Sequence, residues 1–177
     1  MRHPLEFVPA KNRNPLFFGC LGLTVGLFAV FQVLNVPLQT AAAPGGIVSF
    51  ELAGSLETAI AMIASWTERG SAFALFGLGL DYLFMPSYAL ALSLGLLLAS
   101  GRHGTVFARV GIWLGWGVFL AALLDAVENF ALLRLLLGDL AGVWPSLAFW
   151  CASGKFALLL IGVLFALAGW LLPKRSN

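Results

Sequence analysis

The chain has 177 residues, 60% of them hydrophobic and only 10% charged, with a mean hydropathy of +0.95. Soluble domains carry roughly 25% charged residues, so a protein with an aqueous surface is excluded, and no polar stretch is long enough to form a separate soluble domain. The net charge of +2 is too small to suggest a nucleic-acid partner, and no basic groove motif accompanies it.

A membrane-spanning helix needs about 20 apolar residues, and the first such run covers about 16–36, ending at Pro37. Arg2, Lys11 and Arg13 precede it and Ala41-Ala42-Ala43 follows, the outline of a secretory signal with a small-residue cleavage site. At about 21 residues the run exceeds the roughly 7–15 of a cleaved signal, so it is read as a retained span.

The connection that follows, about 37–70, contains the turn-forming Ala43-Pro44-Gly45-Gly46 and then a helical pattern over about 50–66. Leu52, Leu56, Ala59, Ile60 and Ile63 recur at helical spacing, while Glu51, Ser55, Thr58 and Ser65 fall on another face. This amphipathic helix is too short and polar to span, and Trp66 at its end suits a headgroup layer. Two placements are open. The helix rests on the membrane surface, or it forms a lid with Glu51 or Glu57 facing charges within the bundle.

The second span, about 71–99, carries Asp81, Met85 and Tyr88 at spacings that put them on one side of a helix. Pro86 lies between them and should bend that helix by freeing the Tyr82 carbonyl. After the short turn Ser100-Gly101-Arg102-His103-Gly104-Thr105, the third span covers about 107–137. Its Asp125, Glu128 and Asn129 stand at i, i+3 and i+4, on one face. Another short connection, Gly138 to Trp144, leads to the fourth span, about 145–172, which contains Lys155 and is closed by Pro173. Short connections predict antiparallel neighbours. The expected fold is therefore an all-α, four-span transmembrane helix bundle, a single integral domain over 1–177, with an extra amphipathic helix in the first outer loop. Gly22 and Gly26, Gly111 and Gly115, and Gly162 and Ala166 should let helix backbones approach closely inside it.

Cations choose the orientation. Arg2, Lys11, Arg13, Arg102, Arg109, Lys174 and Arg175 all gather on one side, whereas Glu51, Glu57, Glu68, Arg69 and Asp139 occupy the other connections, with Arg134 near the end of the third span. The positive-inside rule then places both termini in the cytoplasm.

Depth follows from the helical rise of about 1.5 Å per residue. Asp81 and Lys155 each lie about 15 Å below the outer ends of their spans, with Asp125 near mid-bilayer and Glu128 and Asn129 about a turn farther out. An inserted charge near the centre costs roughly 2.5–3.5 kcal/mol, so these groups must be paired, hydrated or used. Three carboxylates against one ammonium leave negative charge to be met by a proton, water or another group. The resulting expectation is an intramembrane polar site for a small amphiphile or lipid-like ligand, with proton exchange as a linked step. Asp81, Asp125, Glu128, Lys155 and Glu51 form its charged lining, and Tyr88 and Asn129 supply hydrogen bonds. The alternative is an accessory or structural subunit of a larger membrane complex or homo-oligomer, its charges serving as ion pairs such as Lys155 with Asp81 or Glu128. An enzyme acting on lipid through a carboxylate pair is a weaker third reading, with no catalytic residue assigned.

Several chemistries drop out. His3 and His103 both lie outside the spans, so an in-membrane bis-histidine haem is excluded. Cys20 and Cys151 read as small packing residues, and neither Cys nor His clusters at metal-ligand spacing. No cofactor motif is present. Ser153 and Lys155, two apart on one helix, point to different sides.

Phe50-Glu51-Leu52-Ala53-Gly54 with Trp66, Leu80-Asp81-Tyr82-Leu83-Phe84 with Tyr88, and Leu124-Asp125-Ala126-Val127-Glu128-Asn129 together carry a resemblance. Over roughly 47–136 the chain resembles a family of small uncharacterised bacterial four-span integral membrane proteins. That resemblance implies the four-span architecture and a bacterial inner (cytoplasmic) membrane, and it transfers no mechanism.

Overall fold

The computed structural model describes residues 2–173; Lys174 and Arg175, used above to orient the chain, lie outside the described residues. The fold is all-helical. Four long helices dominate it: α1 (Ala10–Asn35), α4 (Glu68–Ser100), α5 (Thr105–Leu136) and α6 (Val143–Leu171). Each is apolar and long enough to cross a membrane. At about 1.5 Å per residue they run about 40–50 Å, beyond the ~30 Å hydrocarbon layer. α1 begins at Ala10, six residues before its apolar run, with the polar Lys11 to Asn14 inside its first turns. The four apolar helices make this a multi-pass membrane protein.

Between α1 and α4 the chain makes a short 3-10 turn (Val36–Leu38), α2 (Ile47–Glu51) and α3 (Leu56–Ser65). The single helix expected over 50–66 is thus broken. Gly54 takes φ +68, a conformation that side-chain-bearing residues rarely adopt, and Ser55 caps α3 by accepting from Thr58 N at 3.2 Å. Helical periodicity runs through this break because Leu52 lies in phase with Leu56, yet Leu52 is exposed on the turn.

Two compact units can be distinguished. One comprises residues 2–25, 86–122 and 155–173, the other residues 26–85 and 123–154. The second is built on a core of Leu38, Phe50, Ala59, Met62, Trp66 and Leu132 with small neighbours. Trp66, expected in a headgroup layer, is buried here at 7% exposure and donates its indole N–H to Leu38 O at 2.8 Å. Glu51 is likewise not on an outer polar face: it is buried, whereas Glu57 is exposed. α2 and α3 therefore pack as a cap on α5 and α6, through Ala131, Leu132, Leu135 and Ala148. In the first unit, Leu5, Val8 and Leu94 form the core, so the segment before α1 folds back against α4.

Charge is sorted between the units. In the first, Arg2, Lys11, Arg13, Arg102, Arg109 and Lys155 stand against Glu6 alone among the described residues. In the second, Arg69 and Arg134 stand against Glu51, Glu57, Glu68, Asp81, Asp125, Glu128 and Asp139.

The glycine pairs divide as well. Gly111, Gly115 and Gly162 sit in close approaches: a Cβ there would meet Ser100, His3 and Leu92 respectively. Gly22 and Gly26 do not, since nothing lies within 4 Å of the space a Cβ would fill. α1 turns little of its surface inward, with only 6% of its most apolar stretch buried against 61% for α4.

Candidate functional site

In the second unit, α4 and α5 bring polar groups together inside apolar helices. Asn129 Nδ2 on α5 donates to Asp81 Oδ2 on α4 at 2.7 Å and reaches Leu78 O at 3.4 Å. Asn129 is 1% exposed, Glu128 0% and Asp125 3%, while Asp81 is half-buried. The i, i+3, i+4 spacing on a regular helix produces this inward face. α6 approaches closely here because it presents small residues: the missing Cβ of Gly154 leaves room for Leu124 Cδ1, 3.1 Å from where it would sit. Ala148 and Ala152 are fully buried on α6.

Tyr82 was not foreseen as part of this arrangement. It is half exposed on α4, and its hydroxyl donates to Ala126 O on α5 at 3.3 Å. One residue after Asp81 and bonded one residue after Asp125, it closes the α4–α5 seam beside both carboxylates. Adjacency to Asp81 was the available signal, but which face it takes depends on packing.

Glu51 reaches the same unit from the cap and is buried at 8% exposure. Lys155 and Tyr88 belong to the other unit, where both are buried. Lys155 Nζ there lies 4.9 Å from the Phe156 ring centroid, a cation–π contact. Close to Tyr88, Thr24 Oγ1 donates to Cys20 O at 2.8 Å and lies 3.3 Å from Ser87 Oγ, tying α1 to α4. Cys20 is half-buried and Cys151 buried, and both are thiols. α4 stays helical through Pro86, whose ring faces outward.

Chemically, the second unit offers acceptors. Asp81 accepts from the Asn129 amide, and Glu51, Asp125 and Glu128 are buried carboxyls of the same unit. Among the described residues no three His, Cys, Asp or Glu side chains group closely enough to hold a metal ion. Arg134 is committed elsewhere, bonded to Asp139 Oδ2 at 2.6 Å near the start of α6. Its guanidinium holds the Asp139 carboxyl below the usual carboxylate range.

A second buried polar feature, absent from the sequence reading, lies in the first unit. His3 is 4% exposed and sits in the notch left by Gly115 on α5. Leu5 N donates to its Nδ1 at 3.2 Å, so the neutral ring carries its proton on Nε2. Burial pushes the imidazole down to about 4; Glu6 opposes this and Arg13 adds to it. The segment is anchored by Trp116 Nε1 to Arg2 O at 3.1 Å and by Arg13 to Val8 O and Glu6 O.

No family model matches the chain, and neither a curated protein nor a solved structure does.

Proposed function

We propose that the carboxyl-rich face of α4 and α5, beneath the α2–α3 cap, binds a small amphiphile with a cationic or hydroxyl-bearing head. Complete burial of Glu128, beside Asp125 and the Asn129–Asp81 hydrogen bond, carries the proposal. Intramembrane polar contacts average under about 1 kcal/mol each, so stability is a thin reason to keep several carboxyls in apolar helices. A head with an ammonium or hydroxyl donor is attracted to those carboxyls, and its tail lies along the exposed apolar surface of Leu83 and Leu123. Binding an ammonium displaces any proton that a carboxyl holds, which links binding to pH. The membrane is the bacterial inner membrane, with both termini cytoplasmic, supported by the cations near the N-terminus and at the α4–α5 turn.

The test compares dodecyl amphiphiles with cationic, zwitterionic and anionic heads as stabilisers of the purified protein. A raised unfolding temperature with the cationic head, lost in Glu128→Gln and Asp81→Asn but kept in Asp139→Asn, is the expected result. Equal stabilisation by all three heads contradicts the proposal.

The uncovered glycine face of α1 supports a second function, docking onto a larger membrane complex as an accessory subunit. In that case a defined protein copurifies, and α1 substitutions rather than carboxyl substitutions release it.

A further inference from the structure

We propose that the cleft at the α4–α5 turn is a headgroup site for an anionic phospholipid, separate from the carboxyl face. The cleft has a volume of about 440 Å³. Its polar side is His103, Gly104 and Thr105, and its apolar side is formed by Val106, Phe107, Val110 and Phe165. The polar side is rigid: His103 Nε2 is 2.8 Å from Gly169 O, and its ring packs 4.5 Å from Phe107, which stacks on Phe165 at 4.1 Å.

Three observations select the occupant. Charge comes first. Arg102 precedes His103 and lies over Trp170 at 5.1 Å, and Arg109 is exposed four residues after Thr105. Arg102 Nε is buried without a hydrogen-bond acceptor among the described residues. Second, no carboxylate is at hand: the first turn of α5 has none, and Glu6 is the only one among the described residues of this unit. A zwitterionic head would bring an ammonium with nothing to pair it, whereas an anionic head brings only the charge that the arginines attract. Third, Val106 and Val110 are 76% and 41% exposed beside the polar side, a surface for acyl carbon that a free inorganic anion would leave uncovered.

The experiment is native mass spectrometry of the intact purified protein, titrated with phosphatidylglycerol or phosphatidylcholine of identical chains. Wild type should retain phosphatidylglycerol about thirtyfold better, as two arginines near a headgroup imply. Arg102→Gln with Arg109→Gln should reduce that preference to parity, while Lys11→Gln with Arg13→Gln, on α1, keeps it. Val106→Trp should block the cleft without touching a charge, and it serves where the arginine variant does not fold. The proposal is overturned if the preference survives both the arginine pair and Val106→Trp. It is equally overturned if the α1 pair abolishes the preference to the same degree, or if millimolar inorganic phosphate alone displaces the lipid.

Discussion

The Asn129 amide on α5 donates to the Asp81 carboxylate on α4 across 2.7 Å, joining two largely apolar helices. The bond fixes the rotation of α5 against α4 within their unit and, with it, the inward direction of Asp125 and Glu128. Removing the donor while keeping the volume should therefore loosen the site. Asn129→Leu is expected to lower stability by about 1–2 kcal/mol, the range for losing a buried hydrogen bond. Thermal unfolding in mild detergent measures this; an unchanged midpoint would show that the bond is dispensable.

Gly46 introduces α2 with φ +64, and a Cβ there would run into the Asn35 carboxamide. That carboxamide accepts from Ile47 N at 2.8 Å and donates to Gly45 O at 3.2 Å, joining the end of α1 to the cap. Gly46→Ala should break the junction and destabilise by about 1–3 kcal/mol through backbone strain. Faster hydrogen exchange in residues 47–66 is the expected readout, with the α5 interior unaffected.

The four spans were legible because an apolar run of about 20 residues has few alternatives in a chain this hydrophobic. The cap was only half legible. Periodicity found its apolar residues, but Gly54-Ser55 before Leu56 was a stop and N-cap signal that the in-phase leucines concealed. Trp66 was placed by its type at a surface, while tertiary packing buried it, and of the two candidate lid carboxylates packing buried Glu51 and left Glu57 exposed. Within the site, the shared face of Asp125, Glu128 and Asn129 could be read from spacing, since helix geometry is local. The partner of Asn129 could not, because helix rotation is decided by packing. His3 had no sequence signal: its burial depends on a glycine on another helix.

His3 makes the docking of the N-terminal segment pH-dependent. An imidazole is near 6.5 when free and about 4 when seated against Gly115, so the neutral ring favours the docked state. Docking should be constant above about pH 6.5 and weaken as the pH falls toward 4, by at most about 2–3 kcal/mol. Glu6, Arg13 and Arg2 are the charged neighbours, and Glu6 alone counters the trend. Hydrogen exchange of residues 2–9 at pH 7 and pH 5 checks this, with lower protection relative to the intrinsic exchange rate at each pH expected at pH 5. His3→Gln should abolish the difference.

The buried face of Glu128, Asp125 and Asp81 is the centre of the functional account, and native mass spectrometry of protein extracted gently from its own membrane tests it most directly. The wild-type protein should carry a reproducible extra mass that disappears in Glu128→Gln and in Asp81→Asn while both variants remain folded. A bare protein, or a mass that persists unchanged in both folded variants, would contradict it.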